Sequence, residues 1–170
     1  MSAENANRRP RAVAVEVITQ HLVDEDGMLD LPIDPIALAS KLGISVSLGH
    51  LDDGVGGLIT KGAGDERPSI ILNSADAPNR RRFTCAHELG HFYLNSDDQA
   101  YGYIDRRDDL SSRGEDSNER WANQFAAELL MPAVVVQKWF GEGWTLSKLA
   151  KEFGVSDIAM TYRLKNLGLA

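Results

Sequence analysis

The chain has 170 residues and a net charge of −7, with 43% apolar and 25% charged side chains, values that fit one compact globular domain. The negative charge disfavours general nucleic-acid binding, which needs a positive surface, but leaves room for a local basic patch. One cysteine, Cys85, allows no internal disulfide and fits a reducing compartment, while no apolar run approaches the roughly 20 residues of a membrane helix.

The first eleven residues are polar and no signal-type apolar core follows them. The expectation is a cytoplasmic protein with residues 1–8 disordered. An amphipathic helix is predicted over 11–22 and a second over 34–42, stopped by Gly43. Residues 45–51 read as a strand. Gly54-Val55-Gly56-Gly57 reads as a turn and not a phosphate loop, since no Lys-Ser/Thr follows and no helix opens there. Two short strands, 57–61 and 69–73, flank a Gly-Asp-Glu-Arg-Pro turn. The predicted sheet is therefore three-stranded, and an edge strand beside the next helix is expected to bind a peptide in extended form.

That next helix covers 80–94, with Ser74 or Asp76 as cap and Pro78 in the first turn. It contains His87-Glu88-Leu89-Gly90-His91. Helical positions four apart share a face, so both imidazoles can grip one ion. Glu88 is turned by about 100° and borders that ion without ligating it. This is the spacing of zinc sites in which the glutamate acts as general base on water. Phe83, Ala86, Gly90 and Leu94 give the histidines a largely apolar setting, where unpartnered imidazoles are costly.

Residues 96–117 form the longest polar stretch and read as a loop. Tyr101 and Tyr103 lie within it. Either phenol, or His50 from the sheet, is a candidate to stabilise a tetrahedral oxyanion. Residues 118–131 then form a helix that stops before Pro132.

A catalytic zinc needs a third protein ligand and an open position. The continuation with Gly at 94 and His at 97 is excluded, because the chain has Leu94 and Asp97. The remaining carboxylates are Asp97, Asp98, Asp105, Glu115, Asp116, Glu119 and Glu128. Those between 96 and 116 sit in polar sequence that is a poor scaffold for a ligand. Glu119 and Glu128 lie about 180° apart on one helix, so only one can face an ion. Glu119 lies on the side of Ala122 and Ala126, whose small size permits close helix approach, and is chosen. Asn123, one turn on, can hydrogen-bond a ligating histidine. Cys85 lies about 160° from His87 and reads as a packed thiol.

The tail, 145–170, has helix-turn-helix spacing in Leu149-Ala150-Lys151-Glu152-Phe153-Gly154-Val155-Ser156, Met160 and Leu164. Its second helix offers Arg163 and Lys165 to nucleic acid, beside Asp157, so closing the core or docking a partner is the stronger expectation.

Taken together, residues 82–91, Asn118-Glu119-Arg120-Trp121-Ala122-Asn123 and residues 125–132 closely resemble the ImmA/IrrE family of bacterial and phage metallopeptidases. The Asn-Glu-x-x-Ala-Asn element is similar to the third-ligand motif of gluzincins, with Asn in place of a final Asp. The resemblance implies an α+β fold: a mostly helical zincin-like domain over 9–144, with the small sheet beside the histidine helix and a helical tail packed on it. It implies an intracellular zinc endopeptidase, with Mn²⁺ or Fe²⁺ able to take the same ligands, acting on a helix-turn-helix repressor. Two alternatives are a non-cleaving metal-bearing regulator or toxin–antitoxin partner, and a DNA-binding regulator using the tail.

Overall fold

The structure is a computed structural model that describes residues 8–65, 67–95, 100–106 and 117–170. Helix α1 (Pro10–His21) buries Val13, Ala14, Val17 and Ile18 on one stripe. Helix α2 (Pro35–Lys41) starts where the Asp34 carboxylate accepts from the Ile36 and Ala37 N–H groups at 2.9 and 3.2 Å. It stops at Gly43, whose φ of +76° suits a glycine.

Strands β1 (Ser45–Gly49), β2 (Val55–Lys61), β3 (Ser69–Asn73) and β4 (Tyr101–Arg106) form one sheet in the order β1-β3-β2-β4. β1 runs parallel to β3, and β2 runs antiparallel to both β3 and β4. Among the described residues the sheet thus has four strands where the sequence predicted three. Tyr101 and Tyr103 are half-buried while Gly102 and Ile104 are exposed. That period-2 alternation spans too few residues to stand out inside a long polar stretch. Among the described strands the outer two are β1 and β4, so neither of the strands 57–61 and 69–73 is an edge.

The supposed turn at 54–57 is also shorter than expected. Gly54 carries the positive φ of +92°, and β2 begins at Val55. Gly57 lies inside the strand for a packing reason: a Cβ there would come within 2.6 Å of Thr84 Cγ2 on the next helix. That helix, α3 (Pro78–Leu94), opens on Ala77 in an extended conformation with no side-chain cap, so neither Ser74 nor Asp76 serves. Pro78 presets the first turn instead.

Helix α4 (Ser117–Leu130) packs against α3 and α1. Trp121, Phe125 and Leu129, at successive fourth positions, all enter the core. The α3–α4 approach is set by Gly90 and Ala122: a Cβ on Gly90 would meet Ala122 Cα at 2.8 Å and its carbonyl oxygen at 3.2 Å. Three helices follow: α5 (Ala133–Gly141), α6 (Leu146–Phe153) and α7 (Asp157–Asn166). The Thr145 and Ser156 side chains cap α6 and α7, and Gly154 ends α6 with φ +61°. Leu149, Phe153, Val155, Met160 and Leu164 join the same core as α1, α3 and α4.

A buried ion pair ties this tail down. Arg163 Nη2 donates to Glu128 Oε2 at 2.5 Å and Arg163 Nε donates to the Met131 carbonyl at 2.9 Å. The other Glu128 oxygen accepts from the Ala133 N–H at 2.9 Å. Arg163 is 2% exposed, which corrects its reading as a phosphate contact. Among the described residues, no helix is long and apolar enough to cross a membrane.

Candidate metal centre

Helix α3 is buried without a break from Thr84 to His91, because β2 and β3, α2 and α4 all pack on it. His87 and His91 point to the same side. Their ring centroids are 4.7 Å apart at an interplanar angle of 78°, and their Nε2 atoms are 3.0 Å apart. Glu119, in the first turn of α4, brings Oε2 to 3.0 Å from His87 Nε2 and Oε1 to 3.1 Å from His91 Nε2. The Gly90–Ala122 contact lies beside these groups, so the close approach of the two helices delivers the carboxylate. The histidines are 1% exposed and the Glu119 side chain 24%, so the cluster opens to solvent on the carboxylate side.

Asn123, one turn after Glu119, places Oδ1 3.0 Å from His87 Nδ1. An amide oxygen only accepts, so His87 carries its proton on Nδ1 and turns the Nε2 lone pair toward His91 and Glu119. A lone-pair nitrogen, a second imidazole nitrogen and a carboxylate then meet at one point. That donor set fits a divalent cation that takes N and O ligands. Of the described His, Cys, Asp and Glu side chains, these three lie with their ligand atoms within 4.8 Å of one another. Burial alone would raise the Glu119 carboxyl, but hydrogen bonding with His87 and His91 outweighs it and holds the group well below the usual carboxylate range.

Glu88 is fully buried beside His87. Glu128 faces away and is occupied by Arg163 and the start of α5. Cys85 is a buried thiol, pushed up to about 12 by burial and by the nearby Glu88 and Asp34 charges. Tyr103 comes in on β4 and lies flat on His91, with ring centroids 4.3 Å apart and planes within 7°. Its hydroxyl donates to Asn95 Oδ1 at 3.0 Å. Tyr101 sits one pleat away, its ring 6.3 Å from that of Tyr103. His50 is exposed just beyond β1 and is outside the three-residue cluster. Asp97, Asp98, Glu115 and Asp116, and the side chain of Asp105, lie outside the described residues. Sequence reasoning did not single out Asn95. The available signal was its place four residues after His91 at a helix end, where asparagine commonly caps.

Two packed helices, one bearing His-Glu-x-x-His and the other a glutamate facing it, beside a small sheet, define a metallopeptidase-type domain. The chain belongs to the ImmA/IrrE family: residues 39–165 match the IrrE N-terminal-like domain of that peptidase group. It is 40% identical over 103 residues to the radiation response metalloprotease IrrE of Deinococcus radiodurans, covering 58% of this chain and 31% of that protein. The corresponding protein of Deinococcus deserti is 38% identical over 104 residues, covering 58% and 36%. The chain therefore matches about a third of the length of these two relatives. An uncharacterized immunity region protein 2 of Bacillus phage phi105 is 34% identical over 123 residues, covering 72% of this chain and 73% of that one. In fold, the chain is similar to a Mycobacterium tuberculosis transcriptional regulator, with a TM-score of 0.57 over 95% of this chain and 48% of that one, at 20% identity. Membership of a metalloprotease family implies a metal, for which His87, His91 and Glu119 form a possible site.

Proposed function

We propose that the chain is a zinc-dependent endopeptidase of the His-Glu-x-x-His type, acting in the cytoplasm on a helix-turn-helix repressor. The observation that carries this reading is the convergence of His87, His91 and Glu119 on one point at 3.0–3.1 Å. These three side chains would hold the ion, and Asn123 fixes the His87 tautomer that makes this possible. A bound zinc supplies Lewis acidity to a substrate carbonyl and to water; Mn²⁺ or Fe²⁺ would supply the same at these ligands.

The remaining steps belong to the chain itself. The Glu88 carboxylate takes the proton of the attacking water and passes it to the leaving amine. Its buried place next to His87 keeps it beside the reacting groups and apart from bulk solvent. Among the described residues β4 pairs with β2 alone, which supports an outer edge that offers backbone N–H and C=O groups to an extended peptide. Tyr103 on the same strand stacks on His91, which brings that edge alongside the metal centre.

A regulatory protein as substrate is supported by the relative named for a phage immunity region. Burial of Arg163 against Glu128 argues against DNA reading by the tail, because it removes the strongest phosphate contact of α7. Incubating the zinc-loaded protein with a repressor encoded beside its gene, alongside elemental analysis of the purified protein, tests the reading. Cleavage by the wild type and none by Glu88→Gln is expected. An intact repressor that stays bound would instead mark a non-cleaving regulator.

A further inference from the structure

His87 and His91 are held by different means. His87 is fixed through its ring: Nδ1 donates to Asn123 on α4. His91 is enclosed by a chain of contacts that returns to its own backbone. Asn95 Nδ2 donates to the His91 carbonyl at 2.8 Å, Asn95 Oδ1 accepts from Tyr103, and the Tyr103 ring lies on the His91 imidazole. Asn95 is 1% exposed and its own N–H also returns to the His91 carbonyl at 3.1 Å. Because a carbonyl only accepts, the Asn95 amide must present nitrogen to His91 and oxygen to Tyr103. The single hydroxyl proton of Tyr103 is thereby committed to Asn95.

We propose that Tyr103 is a positioning residue for His91, clamped by Asn95, rather than a group that touches the substrate. The inference rests on the metal-site reading above. Its physical content is rotational. An imidazole bound to an ion through Nε2 must keep its plane aimed at that ion, and a flat ring at 4.3 Å, itself pinned at the far end, removes the competing orientations. The clamp also links β4 to the end of α3, so the strand that borders the site holds one of its ligands in line.

Zinc affinity, read by chelator competition, tests this in the full chain. Tyr103→Phe keeps the stacked ring and loses only the tie to Asn95, so affinity should fall by about tenfold, near the lower end for groups that orient a metal ligand. Tyr103→Ala should cost more, about a hundredfold, and should remove the upfield ring-current shift of the His91 imidazole protons in NMR. Asn95→Ala should match Tyr103→Phe. The double variant Tyr103→Phe/Asn95→Ala should be no weaker than the poorer single variant, because both break one chain. If Tyr103→Phe bound zinc at wild-type strength while kcat dropped, the hydroxyl would act on substrate and the proposal would be overturned. It would equally be overturned if Tyr103→Phe and Asn95→Ala left affinity untouched. Should Tyr103→Ala fail to fold, the Tyr103→Phe and Asn95→Ala pair still decides. Failure of the underlying reading looks different: wild type and His91→Ala would then bind zinc equally poorly.

Discussion

At the scale of the residue, the roles proposed for Glu88 and Asn123 are separable. Glu88 holds no place among the three converging donor side chains, so Glu88→Gln should keep zinc and lose turnover by roughly 10²–10⁴-fold, the range for a general acid–base group. Stoichiometric zinc by elemental analysis beside a flat cleavage time course would establish both halves. Asn123→Ala should leave the fold intact and weaken zinc by about 10–100-fold, since His87 would lose the partner that sets its tautomer. Cys85 is a further residue-level case. Its thiol titrates near 12 in the folded protein, above its ordinary value of 9.0. The folded state therefore holds the proton longer than the unfolded chain does. The stability this gives is complete below pH 9 and is lost as pH rises from there toward 12. Native protein at pH 8 should thus resist alkylation until denaturant is added, and mass spectrometry of the labelled chain checks this.

At the scale of the element, the α3–α4 contact controls the site. Gly90→Ala would drive a methyl group against Ala122 backbone, which cannot move like the end of a flexible side chain. The expected outcome is a loss of about 1–3 kcal/mol, as for other overpacked contacts, together with weakened zinc binding as Glu119 is pushed from the histidines. Urea unfolding and zinc titration of the same variant would be compared. The Glu128–Arg163 pair gives the opposite kind of test. Removing one partner, as in Glu128→Ala, strands a buried guanidinium and should cost about 3–5 kcal/mol. Replacing both with apolar residues of similar volume should recover most of that loss, which chemical denaturation of the single and double variants would reveal.

Elements also differ in how visible they are along the chain. α3 was legible from Pro78 in its first turn and a run broken only by Gly90, and α4 from the apolar row of Trp121, Phe125 and Leu129 and the stop before Pro132. The phase argument that set Glu119 against Glu128 follows from helical geometry alone, and the two side chains do face opposite partners. β4 was not legible. Its alternation covers four residues, and its stability comes from pairing with β2, some 40 residues earlier in the chain, rather than from its own composition. The Asn95–Tyr103 connection was hidden for the same reason, since it joins a helix end to that strand.

At the scale of the whole molecule, one core runs through α1, α2, α3, α4 and the tail helices, so the candidate metal centre and the tail share their support. Zinc that binds only the folded form should then stabilise the whole chain by about 2.7 kcal/mol at a free concentration of 100 Kd. A chelator should lower the melting temperature of the wild type, and should leave that of His91→Ala unchanged. Calorimetry with and without EDTA measures both.

What the sequence by itself determined was local and periodic. It set the one-turn spacing of His87 and His91, the offset of Glu88, the phase of Glu119 against Glu128, and the helix stops at Gly43 and before Pro132. These follow because helical geometry repeats every 3.6 residues and can be counted off without knowing the fold. The tertiary structure alone decided what depends on distance through space. It brought Glu119 to 3.0–3.1 Å from two imidazoles by way of Gly90 and Ala122, added β4 to the sheet, and buried Arg163 against Glu128. It also stacked Tyr103 on His91. Each of these joins residues far apart in the chain, where packing and desolvation, not local propensity, set the outcome.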